Sequence, residues 1–130
     1  MDKRPLCRTQ LRRVPKQFSW VDQRLVRERR IDQLSHEACA LYLFLGTVAD
    51  AQGLSYYAER TLSQRLSMSM AQLRQARQTL ITHHLLAYRR PLYQVLALET
   101  RAPDESPGLE PHDARIDLQA GFKQMWEVLS

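Results

Sequence analysis

The segment MAQLRQARQTLITHH, residues 70–84, can put its apolar residues on one side only if it is helical. At about 100° per residue, Met70, Ala76, Leu80, Ile81 and His84 all fall within about 80° of Leu73. The spacing predicts a helix over about residues 70 to 83, with that stripe against a core. The opposite side carries Ala71, Arg74, Gln75, Gln78 and Thr82, with Gln72 and Thr79 on its flank. Amides, a guanidinium and hydroxyls without a carboxylate suit the groove of a duplex. Arginine can fork onto guanine, glutamine can pair with adenine, and no acid repels the phosphates. The same composition also describes a helix face that merely meets water, so the flanking sequence has to decide.

That flank is TLSQRLSMSMAQLRQARQTLITHHLLAYRR, residues 61–90, which holds five arginines and no acid although the chain has 14 acids elsewhere. Charge is laid out in blocks. Residues 1–30 carry ten Lys/Arg against three acids, and residues 31–59 four acids and no base. Residues 60–98 carry six bases and no acid, and residues 99–130 three bases against seven acids. The net charge of +5 and the isoelectric point near 9.6 call for an anionic partner, nucleic acid or membrane surface. No apolar run reaches the roughly 18–20 residues of a membrane span. The N-terminal MDKRPLCRTQLRR lacks the apolar stretch of a signal peptide, so a cytoplasmic protein is expected.

With 130 residues, 44% of them hydrophobic, the chain can build one core. Residues 1–17 are basic, contain Pro5 and Pro15, and read as an N-terminal arm. FSWVDQRLV, residues 18–26, reads as a short strand or irregular segment laying Phe18, Trp20 and Val26 on the core. Ser35 followed by Glu37 marks a helix start, and Ala38, Leu41, Tyr42, Leu45, Val48 and Ala49 keep helical spacing. Cys39, Leu43 and Phe44 make that helix apolar on its other sides, which predicts a central position, with Gly53 just past its end. LSYYAE, residues 54–59, reads as a connector. A short helix over about 61–66, a turn at 67–69 and the long helix follow. LLAYRR and LYQVLAL then form a tight hairpin around Pro91. Residues 101–115 have the composition of an acidic, proline-rich linker. Leu118, Phe122, Met125, Trp126 and Leu129 predict a C-terminal amphipathic helix over 116–130, folded back on its own domain or pairing two copies as a homodimer.

A central apolar helix, a short helix, a three-residue turn, a second helix and a hairpin is the element order of a winged helix-turn-helix. TLSQRLSMSMAQLRQARQTLITHHLL resembles that pattern in bacterial regulators and plasmid replication initiators. LSHEACALYLFLGTVADAQGLSYY looks like the first helix of the replication-initiator-like subgroup found in plasmids, phages and insertion sequences. The resemblance covers residues 31–99 and implies a mainly α domain with a small β-hairpin wing over residues 18–100. It makes Leu62 and Leu66 anchors of the first motif helix, Ser69 the cap of the recognition helix, and Leu73, Ala76 and Leu80 its core positions. Leu85 and Leu86 begin the wing. The family often has glycine where this chain has Ser67 and His84, which implies left-handed backbone at both.

The function this implies is binding of double-stranded DNA, as a transcriptional regulator or as a replication or transposition accessory of a mobile element. Arg74, Gln75, Gln78 and Gln72 would read base edges, with Ser69 and Thr82 near phosphate. Arg65, Arg77, Arg89 and Arg90 would supply charge, the last two at the wing tip, and the arm of residues 1–16 a further cationic contact. The alternative is a protein-interaction adaptor, with the winged fold as a scaffold and the Trp126 helix docking a replication or transposition partner. Catalysis is not expected: the sequence has no nucleophile elbow, no phosphate-binding loop and no apolar pair of carboxylates. Neither is a metal, because His36, Cys39, His83, His84 and Cys7 lack ligand spacing. No cofactor, small ligand or disulfide between Cys7 and Cys39 is expected either.

Overall fold

The structure, a computed structural model, describes residues 2–98. The predicted acidic linker and C-terminal amphipathic helix lie outside the described residues. Within them are four α-helices and a small antiparallel sheet, against which α2 and α4 pack: α1 (Arg24–Arg27), α2 (His36–Val48), α3 (Glu59–Leu66) and α4 (Met70–Thr82), with β1 (Leu54–Tyr56), β2 (Leu86–Arg89) and β3 (Leu92–Val95). Single 3-10 turns occur at Arg8–Gln10 and Ile31–Gln33. No helix among the described residues is long and apolar enough to cross a membrane.

Helix α2 starts where the sequence places it, with the Ser35 hydroxyl accepting from the Ala38 amide at 3.1 Å. Ala38, Leu41 and Leu45 are fully buried, but Leu43 is 63% exposed, so the helix has a wet side. It stops at Val48 because Ala49 turns extended and Asp50 closes a turn, its carboxylate accepting from the Gln52 and Leu54 amides. Gly53 is therefore not the cap of α2. It sits in that turn at φ 87°, where an added Cβ would collide with the Val95 carbonyl oxygen. The same approach lets the Val95 amide donate to the Gly53 carbonyl at 2.8 Å.

Gly53 leads into β1, so the expected connector is a strand. β1 pairs with β3, Leu54 opposite Gln94 and Tyr56 opposite Leu92. β3 also pairs with β2, Leu86 opposite Val95 and Arg89 opposite Leu92, which gives the order β1-β3-β2. The hairpin turns through Arg90 and Pro91 across a cis peptide bond.

Helices α3 and α4 are joined by a tight turn. Ser67 takes left-handed backbone at φ 54°, the Met68 amide returns to the Ser63 carbonyl, and Met68 is buried. Helix α3 begins at Glu59, two residues earlier than expected. α4 opens on a reciprocal cap: Ser69 accepts from the Gln72 amide at 3.0 Å, and the Gln72 side chain accepts from the Ser69 amide at 2.9 Å. It ends on His84 at φ 58°, the Leu85 amide returning to the Leu80 carbonyl.

The core is one cluster in which Leu41, Leu45, Leu62, Leu73, Ala76, Leu80, Leu85 and Tyr93 have no exposed surface. Each fully buried leucine contributes about 1.5–3 kcal/mol. Two expectations about core membership fail. His84 is exposed, because the left-handed turn swings it off the stripe that the ideal wheel assigns. Phe18, Trp20 and Val26 are 65%, 76% and 66% exposed, and Leu25 is buried in their place. The Ser19 hydroxyl ties the FSW segment to α2, donating to the Thr47 carbonyl at 2.9 Å.

Candidate nucleic-acid interface

The buried stripe of Leu73, Ala76 and Leu80 fixes how α4 is rotated, and so which residues it turns outward. Ala71, Gln72, Arg74, Gln75, Gln78 and Thr82 are all exposed, while Arg77 and Thr79 are half-buried on the flanks. Gln75 lies in the middle of that face. Gln78 donates to the Thr82 hydroxyl at 3.4 Å, a long contact, and Thr79 bonds back to the Gln75 carbonyl at 2.9 Å. Ser69 and the amide oxygen of Gln72 are engaged in the cap, which leaves Gln72 both N–H donors of Nε2 and one lone pair of Oε1 for a partner.

The arginines divide into distinct settings. Arg65 is exposed and lies 5.4 Å from the centre of the Phe44 ring, a cation–π contact that fixes its direction. Arg89 and Arg90 are exposed at the hairpin tip. Arg77 belongs to the fold. Its side chain is 14% exposed, its guanidinium lies 4.1 Å over the Tyr88 ring, and its Nη1 donates to Glu59 at 2.8 Å and to the Tyr93 hydroxyl at 3.2 Å. The charge it was expected to offer a nucleic acid is instead held against Glu59 and Tyr93.

Arg74 shares the same acid. Its Nε and Nη2 face Glu59 Oε2 and Oε1 at 3.4 and 3.3 Å, and its side chain remains 60% exposed. Hydrogen bonds from Arg74 and then Arg77 hold the Glu59 carboxyl below its ordinary range. Burial raises the Tyr93 hydroxyl, so it stays protonated beside Arg77.

Glu59, Tyr88 and Tyr93 are the residues that reading the sequence misses. Glu59 lies just ahead of the acid-free stretch, and its partners come from the next helix, which one helical wheel cannot display. A signal was present: Arg74 and Arg77 sit three residues apart on one side of α4, and the first turn of α3 offers one acid. The outward face as a whole carries net positive charge, hydrogen-bonding groups and no free carboxylate. It is followed directly by a hairpin ending in two arginines. Compared with known proteins, the chain matches no family model, no curated protein and no solved structure.

Proposed function

We propose that this chain binds double-stranded DNA as a winged helix-turn-helix protein, with α4 in the major groove and the β2–β3 tip against the backbone. One observation carries the reading. The exposed side of α4 displays Arg74, Gln75, Gln78 and Thr82 without an unpaired acid, on a helix locked in rotation by Leu73, Ala76 and Leu80. Arg74, Gln75 and Gln78 then address base edges, Gln72 contributes its Nε2 donors, and Ser69 and Thr82 lie at the ends of the helix near phosphate. Arg65, Arg89 and Arg90 supply charge, and Arg77 holds the scaffold. Action as a transcriptional regulator, or as a replication or transposition accessory of a mobile element, rests on the likeness of residues 31–99 to replication-initiator-like domains.

The test is selection from a randomised duplex pool across a salt titration, with sequencing of the bound fraction. An enriched motif with steep salt dependence is expected, and one half-site or two distinguishes a monomer from a two-fold dimer. Arg74→Ala should relax preference at one position by about 1–3 kcal/mol. Arg90→Ala should weaken all sequences alike and reduce the salt slope by about one. Equal losses on selected and random DNA for both variants would refute these roles. Weak binding without enrichment would favour a second reading, a protein-docking adaptor, for which the exposed Phe18, Trp20, Val21 and Val26 speak.

A further inference from the structure

The guanidinium of an arginine has five N–H donors on two usable edges, a side-on edge of Nε and Nη2 and an end-on edge of Nη1 and Nη2. In Arg74 the side-on edge faces both oxygens of Glu59, at 3.4 and 3.3 Å. Glu59 is itself anchored. Its side chain is 20% exposed, and Oε2 also accepts from Arg77, which Tyr88 and Tyr93 hold in place. A chain of fixed groups thus runs from the sheet, through Arg77 and Glu59, to Arg74, the arginine at the α3 side of the outward face of α4.

We infer that Glu59 is a positioning residue for base recognition, holding the side-on edge of Arg74 so that its end-on edge is presented to a guanine. This rests on the DNA-binding reading above. Two physical reasons support it. An arginine head restrained before contact loses less rotamer freedom on binding, so more of the fork's energy separates guanine from other bases. A carboxylate near a phosphate backbone repels it, yet here the acid is shared by two arginines and the trio keeps a charge of +1. Glu59 therefore trades general attraction for discrimination.

The opposing signs make the inference testable. In Glu59→Gln, guanine preference at the position assigned to Arg74 should fall on the order of tenfold. Binding to unselected duplex should rise, with a salt slope steeper by about one. In an Arg74→Ala background the same change should leave base preference unaltered. Glu59→Gln also leaves Arg77 without its acid, so the double variant Glu59→Gln/Arg77→Met removes the inner pair together and is compared with Arg77→Met alone. Undiminished guanine preference in either folded comparison overturns the inference while leaving DNA binding intact. Parallel loss on selected and random DNA overturns it too, because that marks a merely structural acid. Failure of the wild-type chain to enrich any sequence removes the underlying reading, and the inference with it.

Discussion

Arg77 shows how far one residue can depart from the role its type suggests. Counted as charge, it belongs with Arg65 and Arg90. In the fold it stacks over Tyr88 and bonds Glu59 and Tyr93, joining α4 to α3 and the sheet. Arg77→Ala should therefore lower stability by about 2 kcal/mol, since it removes charge-assisted hydrogen bonds and leaves Glu59 with its more distant partner, Arg74. Urea midpoints at pH 7 measure this, and Arg90→Ala, changed in the same way at the hairpin tip, should stay within about 0.5 kcal/mol of wild type. The buried residues Leu73, Ala76 and Leu80 were legible in the sequence because helical spacing sorts a helix by side. The Glu59 contacts were not, because they depend on the angle at which two helices meet, which no single periodicity encodes.

At the level of elements, α2, α4 and the hairpin were readable because each repeats a local pattern over a dozen residues or ends on a strong turn signal. β1 was not. Three residues are too few to show alternation, and LSY becomes a strand only because β3, distant in sequence, offers it an edge. The N-terminal aromatics misled for a related reason: apolar character predicts burial only where a partner surface exists, and α1 presents Leu25 instead. The turns that stop α3 and α4 were legible, with Ser67 and His84 both left-handed at φ 54° and 58°. Neither residue is glycine, and each carries the steric penalty of a Cβ in that region. Ser67→Gly and His84→Gly should each raise stability, by up to about 1 kcal/mol, read as an upward shift of the thermal midpoint. A drop in both would mean that the side chains stabilise the turns more than the backbone resists them.

For the whole molecule, the acids matter most at low pH. Hydrogen bonds from the Arg24 side chain and amide pull Asp22 down to about 2, and Arg74 and Arg77 lower Glu59. A carboxyl whose pKa falls on folding stabilises the native state above its unfolded value and loses that contribution as pH drops through the folded one. Stability should thus hold from neutral pH to about pH 4.5 and decline toward pH 2 as these groups protonate. Asp22→Asn and Glu59→Gln should be less stable than wild type at pH 7, with a gap that narrows as pH falls toward 2, as followed by urea midpoints across that range. A constant gap at every pH would assign the loss to packing rather than charge. The sheet order adds a consequence in time. β2 and β3 are joined by a two-residue turn and can zip locally, whereas Leu54 meets Gln94 across about forty residues of chain. Closing that long loop is entropically slow, so the hairpin and the helix pair α3–α4 should form first. By the same argument β1 should pair last, as the bare backbone of Gly53 comes up against Val95.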